Sequence, residues 1–143
     1  MATHEETIQA YFQRDRMAAL LGIETLEFSK GYARTRMVVR DEHLNGLDIV
    51  HGAAIFALAD FTFAVASNSH GTVAVAIHAD ISFVKAIQSG TLYAEATETS
   101  LSPKISTYDI PVTDETGATV ALFHGMTYRK KDTLADIVAS RQK

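Results

Sequence analysis

Residues 51–69 read HGAAIFALADFTFAVASNS, and this run decides the fold. After Gly52 it holds six alanines, three phenylalanines and no proline or further glycine, a composition that favours an uninterrupted helix. Apolar residues surround nearly its whole circumference, which water tolerates only when other elements enclose the helix. The reading is a buried helix over about residues 52–68 at the centre of the protein, ended by Asn68, Ser69 and Gly71. The run does not read as a membrane span, because the apolar stretch Gly52–Ala66 is shorter than the roughly 20 residues a bilayer requires and carries Asp60.

The flanks read as strands with one further helix. Upstream, Ile8, Tyr11, Phe12, Met17, Leu20 and Leu21 recur at helical spacing from Glu5 to Leu21, with Gly22 as the stop. Strands occupy about residues 23–40, where Ile23–Ser29 pairs with the alternating Tyr32–Arg40 across Lys30-Gly31. Downstream, alternation over about residues 73–130 gives four strands in close succession, separated by Gln88-Ser89-Gly90, Ser102-Pro103 and Asp114–Gly117. Asp132–Gln142 reads as a short terminal helix. Strands joined by short turns pair antiparallel, and a helix apolar all round needs a sheet curled about it. The expected fold class is α+β: one domain over residues 1–143, a curved antiparallel β-sheet wrapped around a long central α-helix. Such a sheet leaves an edge that the sheet of a second copy can close.

Composition narrows the function. The 143 residues carry 17 acids against 13 bases, and the bases are scattered, so a basic footprint for nucleic acid is missing. With no cysteine, disulfides, Cys-ligated metals and a catalytic thiolate are excluded, and the chain suits a reducing cytoplasm. No hydrophobic leader opens the sequence, and no membrane partner is expected. His78 and Asp80 share one face of a strand but lack a third ligand at convincing spacing, so no metal is expected.

Two features of the central helix carry chemistry. A carboxylate halfway along an enclosed apolar helix costs several kcal/mol if it stays ionised, so Asp60 requires a compensating role. At the helix start, Gly52 leaves the first backbone N–H groups approachable at the positive end of the macrodipole, a site suited to an oxyanion. Eight residues of helix separate the two by about 12 Å, too far to engage one carbonyl carbon within a chain. Two such helices running antiparallel across a dimer would set Asp60 of one copy against the Gly52 N–H of the other, making two equivalent composite sites.

The run HLNGLDIVHGAAIFALADFTFAVASNS resembles the signature of hotdog-fold acyl-CoA thioesterases of the PaaI type, and SFVKAIQSGTLYAEATETS and GATVALFHGMTYRK resemble their strand segments. The resemblance covers about Gly22 to Lys130. It implies a hotdog fold and hydrolysis of an acyl-CoA, of phenylacetyl or medium-chain type, to the free acid and coenzyme A. It also implies no cofactor beyond the coenzyme A of the substrate, and a homodimer with composite sites, doubled to a homotetramer. Residue by residue, Gly52 would polarise the thioester carbonyl, Asp60 of the opposite subunit would attack it or activate water, Asn45 would help hold the water or carboxyl group, and His51 would stand beside the oxyanion site. Phe61, Phe83, Lys85 and Ser82 are the candidate substrate contacts. Two departures stand out: Ala53 replaces the second glycine of the usual His-Gly-Gly, and the auxiliary hydroxyl position falls on Ala64 or Ala76, leaving Thr62, His78 and Ser82 as substitutes.

Two other functions compete. An acyl-thioester hydratase would use His51 and Asp60 as an acid and base pair, but the His-Phe-Pro-Gly loop of dehydratases is missing. A non-catalytic acyl-CoA binding module would retain ligand and turn over nothing. Among the remaining polar residues, His43 and His124 read as surface or interface groups, and Lys85, Arg129, Lys130 and Lys131 as bases available to coenzyme A phosphates.

Overall fold

The structure is a computed structural model, and it describes residues 1–142. Two short helices, α1 (His4–Phe12) and α2 (Arg16–Leu21), precede the hairpin β1 (Ile23–Ser29) and β2 (Tyr32–Val38). A loop then leads to α3 (Gly52–Asn68), followed by β3 (Thr72–Phe83), β4 (Thr91–Leu101), β5 (Ile105–Thr113), β6 (Thr119–Thr133) and α4 (Leu134–Ser140). The strands form one antiparallel sheet in the order β1-β2-β4-β5-β6-β3, with α3 against its inner face.

A long central helix and a curved sheet are present as expected from the sequence; three details of the element order and pairing differ. The single N-terminal helix read over residues 5–21 is two helices. Asp15 takes an extended conformation and accepts the Ala18 N–H at 3.0 Å, so it caps a new helix where the first has ended. The terminal helix starts later than Asp132, because β6 runs on to Thr133, whose hydroxyl caps α4. Among the four late strands, β3 pairs with β6 and not with its sequence neighbour β4. The chain crosses between them through residues 84–90, where Ile87 is buried and its carbonyl accepts the Val50 N–H at 2.8 Å. That crossing puts β3 at an open edge and ties the β3–β4 connection to the loop before α3.

Alternation sets the core. Ala121, Phe123 and Thr127 of β6 point inward against α3, while Leu122, His124 and Tyr128 point out. Gly125 sits under the ring of Phe63, and a Cβ there would come within 2.5–2.7 Å of it, so the glycine makes room for one of the two buried phenylalanine rings of α3. Phe63 packs in turn on Tyr108 and Phe123, at ring-centre distances of 5.6 and 5.7 Å.

Burial along α3 is not uniform, which corrects the expectation of a fully enclosed helix. Ala54, Ile55, Leu58, Ala59, Phe61, Thr62, Phe63, Val65 and Ala66 are buried. Ala53, Phe56, Ala57, Asp60 and Ala64 recur at helical spacing on a stripe that stays open. Alanine is apolar enough to hide this stripe in a sequence reading, yet small enough to let another backbone approach. The stripe lies next to the free edge of β3, where Ile77 is 52% and Phe83 53% exposed.

Candidate active site

The loop into α3 is built by backbone bonds. Leu44 and Val50 form an isolated antiparallel bridge, and Asn45 N–H donates to the Ile49 carbonyl at 2.8 Å. Asn45 Oδ1 accepts from Leu47 N–H at 2.9 Å and Ile49 N–H at 3.4 Å, an Asx-type turn that leaves its amide NH2 available as a donor. Asp48 closes the loop at φ 57°, a left-handed conformation that aspartate tolerates better than most residues. His43 is buried and both ring nitrogens are occupied, Nδ1 by the Arg40 N–H and Nε2 by the Leu21 carbonyl. It is therefore a brace for the loop, not the surface or interface residue expected.

His51 caps α3. Its Nδ1 accepts the Ala53 N–H at 2.9 Å, and its carbonyl accepts from Ala54 N–H at 2.9 Å. The Gly52 N–H, between them, meets no protein acceptor among the described residues. One unpartnered donor therefore remains at the positive end of a 17-residue helix. The ring of Phe83 walls it on one side: a Cβ on Gly52 would stand 3.2 Å from the Phe83 Cζ. With Nδ1 accepting a hydrogen bond, the neutral His51 ring carries its proton on Nε2 and presents a donor. This removes His51 as a competing general base in its neutral form.

Asp60 lies on the open stripe, partly buried, with no hydrogen-bond partner among the described residues. Burial pushes its carboxyl above the ordinary aspartate range, and the like charge of Asp15 pushes it further in the same direction. Asp15, the cap of α2, was missed as a site neighbour by the sequence reading. The one available signal was its position in Gln13-Arg14-Asp15-Arg16, a polar break in the helical pattern.

The other candidates separate. Phe61 is buried beneath α1, meeting Phe12 edge-on at 5.7 Å. Lys85 is exposed and held by Asp114, which it keeps well below the usual carboxylate range. Ser82 pairs across the ladder with the outward-facing Leu122 and so stands on the opposite sheet face from Phe83. None of the three substitutes supplies the missing hydroxyl near Asp60 within the chain. Thr62 is fully buried, donating to the Leu58 carbonyl and bonded to Thr35; His78 pairs with Asp80 at 3.3 Å on the outer face; Ser82 shares that face. Arg129 also drops out as a phosphate contact, since its guanidinium binds Thr72 and the Ser67 carbonyl. No trio of metal-ligating side chains occurs among the described residues.

With this geometry in hand, comparison with known proteins decides the family. Residues 47–121, which take in the end of the loop, α3, β3 to β5 and the first residues of β6, match the thioesterase superfamily. The chain belongs to that superfamily. As a thioesterase it has relatives across bacteria and archaea. A protein of Archaeoglobus fulgidus is 43% identical over 126 residues, covering 87% of this chain and 82% of its own length. Acyl-coenzyme A thioesterase PaaI of Escherichia coli is 35% identical over 130 residues, 90% of this chain and 93% of that one. Its solved structure superposes with a TM-score of 0.87 over 91% of this chain and 95% of that chain. A PaaI mutant structure from Thermus thermophilus reaches a TM-score of 0.78 at 36% identity, over 81% and 100% of the two chains. The curved sheet around one helix is thus the hotdog fold, and the thioesterase is a thioester hydrolase. No helix among the described residues is long and apolar enough to cross a membrane.

Proposed function

We propose that two copies of this chain pair through the β3 edge and the open stripe of α3, and that the pair hydrolyses acyl-CoA thioesters at two composite sites. In each site the thioester carbonyl oxygen accepts from the Gly52 N–H of one subunit, and Asp60 of the other acts at the carbonyl carbon. The observation that carries this reading is the free Gly52 N–H at the tip of a helix whose exposed stripe holds a lone carboxylate. An unpartnered donor and an unpartnered acid, some 12 Å apart along one helix, meet only when the helix is set against a second copy of itself.

Two routes lead from this geometry to the products. Asp60 attacks the carbonyl carbon, forming a mixed anhydride as coenzyme A leaves, and water then opens the anhydride. Alternatively, Asp60 takes a proton from a water that attacks the same carbon, and the tetrahedral oxyanion collapses with loss of the thiol. The raised carboxyl pKa strengthens Asp60 as a nucleophile and as a base, and the Gly52 N–H stabilises the oxyanion in both. The Asn45 amide, with its Oδ1 committed to the loop, is assigned to hold the water or the acid, and His51 Nε2–H is a second donor beside the carbonyl.

The scheme draws on protein groups and water alone, with coenzyme A present only as part of the substrate. We assign the enzyme to the cytoplasm, a setting that suits a chain with no cysteine, and expect the dimer to double into a tetramer. The decisive experiment is single turnover in 18O-water on an acyl-CoA. Label in Asp60 supports the anhydride opened at the Asp60 carbonyl, label only in the product acid fits activated water or an anhydride opened at the acyl carbon, and no thiol release from any acyl-CoA refutes the assignment.

A further inference from the structure

His43 lies at the start of the loop that leads to α3, is 1% exposed, and takes no part in the chemistry proposed above. We infer that His43 is a positioning residue for the oxyanion donor: its ring ties the base of the loop to the C-terminal end of α2, and so sets where the Gly52 N–H stands. The inference rests on the thioesterase reading given above.

The path from the ring to the donor runs through backbone bonds. The His51 N–H donates to the His43 carbonyl at 2.7 Å, next to the Leu44–Val50 bridge, so the loop is closed at its base by the two histidines. The His51 carbonyl in turn accepts from Ala54 N–H at 2.9 Å and Ile55 N–H at 3.2 Å. That carbonyl and the Gly52 N–H belong to one planar trans peptide group and point in opposite directions, so fixing His51 aims the donor. His43 is the platform on which His51 is held.

The ring itself is held on two sides. Nδ1 accepts the Arg40 N–H at 3.0 Å, so the neutral ring carries its proton on Nε2 and donates it to the Leu21 carbonyl at 2.9 Å. Leu21 is the last residue of α2, where carbonyls lack helical partners, and Arg40 Nη2 donates to the carbonyl before it, that of Leu20, at 2.8 Å. The two ring bonds differ in reach. Arg40 is 3 residues from His43 and shares its turn, so that bond shapes the turn alone, whereas Leu21 is 22 residues away on another element. The bond to Leu21 is therefore the one that ties the loop to the body of the fold.

The test separates the two ring bonds and then asks whether the effect passes through Gly52. An asparagine amide reaches as far as Nδ1 and a glutamine amide as far as Nε2, so His43→Asn keeps the Arg40 bond and His43→Gln the Leu21 bond. His43→Met fills the space with neither bond and serves in place of His43→Asn should that variant fail to fold. These proteins, alone and combined with Gly52→Pro, are assayed on acetyl-, octanoyl- and phenylacetyl-CoA well below their melting temperatures. His43→Asn should lose about tenfold or more in kcat with KM within about twofold, and His43→Gln should stay within about threefold of wild type. On Gly52→Pro, where no N–H is left to position, His43→Asn should cost less than about twofold further. A purely structural role would lower the melting temperature of His43→Asn and leave kcat unchanged. That result overturns the inference, as does a loss in kcat that glutamine does not repair or that persists in full on Gly52→Pro; each leaves the thioesterase reading intact. A Gly52→Pro variant as active as wild type, or a wild type inert toward all three esters, overturns that reading and this inference with it.

Discussion

His51 Nδ1 accepts the backbone N–H of Ala53 at 2.9 Å, and that bond divides the first turn of α3 between structure and chemistry. It satisfies one exposed donor, fixes the imidazole beside the helix axis and leaves the neighbouring Gly52 N–H as the donor facing outward. Removing the cap by His51→Ala should destabilise the fold by about 0.5–2 kcal/mol. His51→Asn, which can accept from the same amide, should recover most of that loss. Thermal unfolding of the three proteins checks the order, and equal melting of the Ala and Asn variants would contradict the capping role.

The acid limb of the pH–rate profile should report Asp60. Its folded-state pKa is raised, first by burial and then by the charge of Asp15. Hydrolysis needs the ionised form, so kcat/KM should climb with pH through a value above the usual carboxylate range. Asp15→Asn retains a capping side chain for α2 but removes the like charge, so the limb should move to lower pH. A shift to higher pH, or none, would contradict the coupling.

The same shift has a consequence for stability. A raised carboxyl pKa contributes stability that is full below the unfolded value and is lost as pH rises through the folded one. Asp60→Asn should therefore melt higher than wild type at neutral pH, by on the order of 1 kcal/mol for relief of a partly buried unpaired charge, and the difference should vanish below about pH 3.9. Calorimetry at neutral and acid pH measures it, and a variant less stable at neutral pH would show that Asp60 has a structural partner.

Much of this was legible in the sequence because period and burial agree there. Six alanines and three phenylalanines marked α3, alternation marked the strands, and Asp60 stood out as the one charge in an apolar run. The order of strands was less accessible. The pairing of β3 with β6 depends on where residues 84–90 cross, and that path is set by tertiary bonds such as Val50 N–H to the Ile87 carbonyl, which leave no local signal. The open stripe of α3 was hidden because alanine suits a buried face and an exposed one equally. The roles of His43 and Arg129 were misread for a related reason: a polar side chain that braces backbone carbonyls looks, in sequence, the same as one that faces water.

Gly125 shows what packing demands of one strand position. A methyl group there meets the Phe63 ring at 2.5–2.7 Å, and that ring is 1% exposed with Tyr108 and Phe123 behind it. Gly125→Ala should cost about 1–3 kcal/mol by overpacking and lower the denaturant midpoint with little change in slope. An unchanged midpoint would mean the Phe63 ring has room to move.

The composite site itself is tested by subunit complementation. Gly52→Pro deletes the N–H at the first helical position, where proline is tolerated and where His51 already holds φ −61°, ψ 137°, a conformation suited to the residue before proline. Gly52→Pro and Asp60→Asn should each lose about 10²-fold or more in kcat as homodimers. Mixed, denatured together and refolded, half of the dimers pair one chain of each kind, and each of these holds one intact site. The mixture should then regain about a quarter of wild-type activity. Recovery at that level is the expected result, and a mixture as inactive as its two parents would contradict a site shared between two copies of α3.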